Sequence, residues 1–445
     1  MSNLFYQSKS ARPMLDRAEG IYMWDVSGKR YIDGSSGAMV SNIGHSNPAV
    51  LAAMRKQMEK STFGYRLHFQ TDSSEELARR TAALAPDGLN KVFFVSGGSE
   101  AVESTLKLAR QYVLTQGQPQ RYKVISRYPS YHGCTLGALA ITGYAPMSAP
   151  FDPMMRAMPK IPAPRAYLDG LDPDDPATGL HYADMLEAKI LEEGPETVLA
   201  FIVEPVGGAS TGALVPPAGY MARIREICTR YDILLIHDEV MTGGGRTGRF
   251  FGAEHWEVTP DLIALSKGFG GGYVPLGAMI ARDDIVEAVM EAGGFIHGFT
   301  YAGNPLACAA GAAVLDQIAE RDLVGNSARM GAALRDRLTS LMQRYPLVGD
   351  VRGKGLLMAF ELMADRSTKA PLPKELNAHS RLVDIAYENG LIIYSRRTRG
   401  GISGDHFLVC PPMIVEEAQL DEIADILDRS LAQYMAEVPK LPGQG

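Results

Sequence analysis

Short apolar runs of strand length recur along the chain, each ending in a polar or small residue before a glycine or a helix-like stretch. They are "KVFFVSGGSE", "KVISRYPSYHG", "VLAFIVEPVGG", "ILLIHDEVMTGGG" and "DLIALSKGFGG". Between them, "SSEELARRTAALA" (with a capping box from Ser73 to Glu76), "SEAVESTLKLARQYVLTQ" and "AGYMARIREICTRYD" carry apolar residues at helical spacing. Strands alternating with helices predict an α/β domain built on a mostly parallel sheet. After about Leu306 the pattern changes. Helical stretches over Pro305–Ala319 and Asn326–Tyr345 precede "VGDVRGKGLLMAFEL", "GLIIYSRR" and "DHFLVCPPMIV", which predict a smaller α+β unit. A final helix, "EEAQLDEIADILDRSLAQYM", leads to a loose tail, "VPKLPGQG". Near the start, "GIYMWDVSGKRYIDGSSG" predicts a hairpin with a Ser-Gly turn. The expected division is an N-terminal segment, 1–50, joining a small domain; a large domain, 51–310; and the C-terminal small domain, 311–445.

Composition narrows the class without changing this picture. The 445 residues are 46% hydrophobic and 21% charged, with a formal net charge of −7. That balance belongs to a soluble globular protein and leaves no electrostatic footprint for nucleic acid. The basic run "SRRTRGG", Ser395–Gly401, reads most simply as a solvated loop. Cys134, Cys228, Cys308 and Cys410 are widely separated and form no CxxC pair, so neither a disulfide framework nor a metal site is expected. Free thiols, an N-terminus without the apolar stretch of a signal peptide and the lack of a membrane-length apolar segment lead to a cytoplasmic expectation.

In open α/β sheets, ligands bind beyond the carboxyl ends of the strands. Ser96, Tyr131, Glu204, Asp238 and Lys267 all fall at or just past a predicted strand end, so one crevice can gather them. "SGGSE", opening a helix, reads either as a phosphate cradle of free amides or as a tight strand-to-helix turn. Asp238 shares a strand face with Leu234 and Ile236, so it is either a carboxylate awaiting a cationic partner or a cap for the next loop. Lys267 ends an apolar run and is followed by Gly268, Gly270, Gly271 and Gly272. A lysine enclosed there can be tuned into a nucleophile. A phosphate cradle, an aromatic face, a carboxylate and a lysine are together the requirements of pyridoxal 5'-phosphate.

Over nearly its whole length the chain resembles the class III (omega) aminotransferases, fold-type I enzymes dependent on pyridoxal phosphate. The resemblance rests on "SGGSEAVE", "SYHG", "FIVEPV", "IHDEVMTGGGRTG", "LSKGFGGGYVPLGA", "HGFTYAGNPLACAA" and "VRGKGLLMAFEL", in that order. It implies that Lys267 carries the cofactor as its internal aldimine and that Asp238 pairs with the pyridine nitrogen. Tyr131 and Val240 would cover the two ring faces, Gly98 and Ser99 would hold the phosphate, and Glu204 would support the site. Thr300 would reach the phosphate from a neighbouring subunit, so active sites would be shared in a homodimer or higher assembly. The activity implied is transfer of an amino group from an amine or omega-amino acid to a keto acid, with pyruvate implied by analogy with the family. An ammonia- or phospho-lyase on the same scaffold is the alternative, and a non-catalytic cofactor binder is a third reading.

Substrate recognition has fewer signals. Ala209 stands where the ornithine and 4-aminobutyrate branches of the family carry a glutamate, and Met241 where the latter carries a glutamine, which implies the amine:pyruvate-like branch. Arg396 and Arg397, ahead of Arg399, are candidates for the carboxylate of the keto acid. Tyr65 and Arg66 lie in a segment that either is a solvated surface stretch or forms an anion pocket at the substrate mouth. Met39 lines that same pocket or sits in the core.

Overall fold

The structure is a computed structural model that describes residues 3–6 and 12–438. Apart from Val438, the tail "VPKLPGQG" lies outside the described residues. At the centre is a seven-stranded sheet. Its strands run in the order Lys91–Val95, Gly277–Ala281, Leu262–Leu265, Leu234–Asp238, Val198–Val203, Lys123–Tyr128 and Lys160–Pro162. All neighbours pair in parallel except at Gly277–Ala281, which runs antiparallel to both strands beside it.

Alternation along the central strands builds two cores from one sheet. Ala200, Ile202, Leu234 and Ile236 pack with Ala101, Leu108 and Ala109 of the helix Gly98–Thr115. Phe201, Val203 and Leu235 pack on the other face with Leu186 and Ile224, from the helices Pro176–Glu193 and Tyr220–Arg230. A strand covered on both faces needs no polar side, which is why "VLAFIV" is an unbroken apolar run.

A second sheet, from the C-terminal part of the chain, is antiparallel. Its main order is Val348–Lys354, Leu357–Asp365, Ser403–Val409 and Tyr394–Arg399. The N-terminal hairpin, Tyr22–Asp25 with Arg30–Asp33, gains a third strand, Leu15–Glu19, and pairs in parallel with Leu391–Ile392. Two local expectations need correction. The helix Asp72–Leu84 is capped by Thr71, whose side chain accepts from the Ser74 amide, and not by Ser73. The run "SRRTRGG" is not a solvated loop: Tyr394–Arg399 is a strand, and its two glycines, with Ile402, turn it into its partner. Composition marked the arginines as solvent-loving, but antiparallel pairing with a buried neighbour holds them in the sheet.

Candidate active site

Five strand ends converge on a cavity of about 440 Å³. Asp238 closes the strand Leu234–Asp238 on the same face as Leu234 and Ile236, so its carboxylate emerges toward the helix Gly98–Thr115. Both of its oxygens are held: Oδ2 lies 2.8 Å from His132 Nδ1, and Oδ1 accepts the Val240 amide at 3.1 Å. Glu204, one residue past Val198–Val203, is buried. Its Oε1 accepts the Gly208 amide at 3.1 Å, and its Oε2 lies 3.7 Å from Arg127 Nη2. Burial pushes the Glu204 carboxyl above the usual carboxylate range, with His132 and Arg127 opposing that shift.

Lys267 begins a short turn two residues beyond the strand Leu262–Leu265. Its backbone adopts the left-handed conformation, φ 50°, which is uncommon for a residue with a side chain. The surrounding protein lowers the proton affinity of its amine below that of an ordinary lysine, with Asp238 and Glu204 pulling the other way. The side chain lines the cavity, and among the described residues no carboxylate forms an ion pair with it. Gly98, which also lines the cavity, opens an 18-residue helix. A Cβ there would lie 2.8 Å from Val240 Cγ1, so the helix N-terminus and Val240 approach as closely as a glycine allows. Ser99 follows, its Oγ accepting the Cys134 amide at 3.0 Å, and Tyr131 lines the same cavity.

These residues fit pyridoxal phosphate on the chemistry of the set. A carboxylate is oriented by two hydrogen bonds, a lysine amine faces the cavity without an ion-pair partner, and helix-terminal amides stand beside a position with no room for a side chain.

Comparison with known proteins decides the identity. The class-III aminotransferase family model matches residues 6–431. A putrescine–pyruvate aminotransferase of Pseudomonas aeruginosa is 36% identical over 433 residues, covering 97% of this chain and 92% of that protein. This chain belongs to the class-III aminotransferases.

Solved structures agree. An (S)-enantioselective omega-transaminase from Thermomicrobium roseum superposes with a TM-score of 0.91 at 37% identity, covering 98% of this chain and 97% of that one. An amine transaminase from an uncultivated Pseudomonas species, in its PLP-bound form, gives 0.91 at 35%, covering 97% and 99%. The aminotransferase therefore has the fold-type I α/β architecture, and the lyase alternative finds no support among these relatives. No helix among the described residues is long and apolar enough to cross a membrane.

The structure sorts the substrate candidates of the aminotransferase. Met39 and Arg396 line the cavity. Arg397 does not: neighbouring residues of a strand face opposite ways, so it points to the other side of Tyr394–Arg399. There it donates to the Lys374 carbonyl at 3.0 Å and lies 3.7 Å from Asp405. Arg399 shares that side and reaches the Lys369 carbonyl. Arg66 is also outside the cavity lining, donating to the His297 carbonyl at 3.2 Å and lying over the Phe93 ring. Tyr65 packs edge-on against His68, and Thr300 is exposed, so neither lines the cavity of this chain.

Among the lining residues that the sequence did not single out, His132, Tyr144, Ser210 and Tyr394 bring polar side chains to the site. For His132 the signal was its place after Tyr131 in "SYHG". For Tyr394 it was its even spacing from Arg396 along one strand. Tyr144 and Ser210 come from loops and carried no such pattern.

Proposed function

We propose that this aminotransferase uses pyridoxal phosphate held by its own Lys267, Asp238, Tyr131, Val240, Gly98 and Ser99, with Glu204 supporting them. The proposed reaction moves an amino group from a primary amine or omega-amino acid to pyruvate. The observation that carries this reading is the meeting of Lys267 and Asp238 in one cavity, the carboxylate tied to His132 and the amine left without an ion-pair partner.

When bound, the cofactor supplies an aldehyde that captures amines and a ring that takes up electrons as a substrate proton leaves. Enclosure keeps the Lys267 amine closer to its neutral form, which suits it to act as nucleophile and then as the base and acid that moves the proton. Asp238, fixed by His132 and the Val240 amide, would hold a proton at the ring nitrogen. Arg396, lining the cavity, would take the keto-acid carboxylate. Thr300 is exposed outside this cavity, a position that suits delivery to a second copy of the chain and supports a dimer with shared sites. The relative that acts on putrescine and pyruvate supports the choice of acceptor.

Borohydride treatment of the cofactor-loaded protein should tag the peptide carrying Lys267. Lys267→Ala should remove the tag, the visible absorbance and alanine formation from pyruvate together. A variant that keeps the tag elsewhere and still forms alanine would overturn the assignment.

A further inference from the structure

Two segments distant in sequence line the same cavity: the loop carrying Val206, Ala209 and Ser210, and the strand carrying Tyr394 and Arg396. The loop is fastened by side chains of the C-terminal sheet. His406 Nε2 lies 2.9 Å from the Ala209 carbonyl, and Arg352 donates to the carbonyls of Thr211 at 3.0 Å and Gly212 at 2.6 Å. Arg352 is in turn anchored by Asp350 and Glu361 at 2.5 and 2.9 Å. The contact is close enough to demand glycine. Gly212 has φ 65°, and a Cβ there would lie 2.6 Å from His406 Cγ.

His406 is fully buried on the strand Ser403–Val409, directly across the ladder from Arg396. Cross-strand partners present their side chains on the same face. Thr398, two residues beyond Arg396 on that face, places its Oγ1 2.9 Å from His406 Nδ1. The network assigns the tautomer. A carbonyl can only accept, so Nε2 carries the hydrogen to Ala209, and the Thr398 hydroxyl donates to Nδ1. Burial, with Arg352, Arg396 and His379 nearby, holds the imidazole in its neutral form by pushing its pKa well below that of an ordinary histidine, while the Ala209 carbonyl opposes the shift.

We propose that His406 is a positioning residue that sets the gap between the Arg396 guanidinium and the Ala209–Ser210 wall, and so determines which keto acids the cavity accepts. The proposal rests on the reading of Arg396 as the carboxylate-binding residue. A tie at both imidazole nitrogens makes wall and strand move as one, so a carboxylate on Arg396 meets the wall at a fixed distance. A gap of fixed width discriminates between keto acids by the length of the chain beyond the carbonyl.

The test measures each half-reaction separately in His406→Leu, His406→Gln, Thr398→Val and Arg396→Ala. His406→Leu should raise the KM for pyruvate about tenfold and narrow the preference for pyruvate over a longer 2-keto acid. Its half-reaction with a carboxylate-free amine should change less than about twofold. His406→Gln, whose amide can donate to the Ala209 carbonyl, should recover most of the loss. Thr398→Val, which removes only the hydroxyl, should shift pyruvate KM in the same direction and keeps the test decisive if His406→Leu fails to fold. An unchanged KM in Arg396→Ala overturns the carboxylate role itself. A raised KM in Arg396→Ala, beside an unchanged acceptor preference in the His406 and Thr398 variants, overturns the positioning role alone.

Discussion

Asp238 and His237 are neighbours with opposite fates, because successive residues of a strand face opposite layers. Asp238 enters the cavity, while His237 turns into the other core and is fully buried there. Neither ring nitrogen of His237 has a hydrogen-bond partner among the described residues. Burial, with Arg225 and Arg127 adding to it, pushes its pKa down to about 3 from an ordinary 6.5. Between those values the unfolded chain binds a proton that the folded chain excludes. This residue therefore costs stability progressively as the pH falls from 6.5 toward 3, and nothing above that window. His237→Leu, close in volume and without polar atoms, should leave thermal stability at pH 7.5 unchanged or raised and make its decline toward pH 5 less steep. Melting curves at the two pH values check this. A steeper acid decline in the variant would contradict it.

At the scale of elements, the strand Tyr394–Arg399 shows how one pairing allocates function. Its register sets Arg396 opposite His406 and Arg397 opposite Asp405, which sends one arginine to the cavity and the other to a carbonyl and a carboxylate behind it. The helix Pro305–Glu320 depends on a different local device. Asn304 caps it, its Oδ1 accepting the Ala307 amide at 3.0 Å, while its Nδ2 donates to the Thr62 carbonyl at 3.2 Å. The cap thus joins the helix to the segment that leads into Tyr65 and Arg66. Asn304→Ala should lower stability by about 1 kcal/mol and Asn304→Ser by less, since serine keeps an acceptor at the cap. Chemical denaturation of both variants measures the difference.

Across the whole molecule, Arg246 joins segments far apart in the chain. Its guanidinium is fully buried and donates to the carbonyl of Pro411 at 2.5 Å, to Ser36 Oγ at 2.9 Å and to Asn42 Oδ1 at 2.5 Å. Its backbone carbonyl accepts Leu356 N at 3.0 Å and Ser327 Oγ at 2.8 Å. Burial pulls its pKa down to about 10, so the charge is kept with only oxygen dipoles as close partners. Arg246→Met would remove these donors and leave several buried oxygens unpaired. A loss of about 3 kcal/mol is expected, read as a lower unfolding midpoint. Because the same segments carry Met39, the variant should also weaken substrate binding before it unfolds.

What the residues decide alone is whatever depends on neighbours close in the chain. Apolar runs ending at Val203 and Leu265, helical spacing after Gly98, and the order of the motifs were enough for the α/β layering, the aminotransferase family and the meeting of Tyr131, Glu204, Asp238 and Lys267 in one cavity, whose lining does not include the fifth strand-end residue, Ser96. They were not enough for the capping of Asp72–Leu84, where Thr71 and Ser73 offer equivalent hydroxyls and only the backbone geometry selects one. Nor could they settle the arginine run, since three like charges in six residues read as solvated until pairing with Ser403–Val409 assigns each a face. His406 behind the Ala209–Ser210 wall of the cavity, Arg246 between distant segments and the exposure of Thr300 belong wholly to the tertiary structure. Each depends on distances between residues tens to hundreds of positions apart, and a linear pattern holds no measure of those distances.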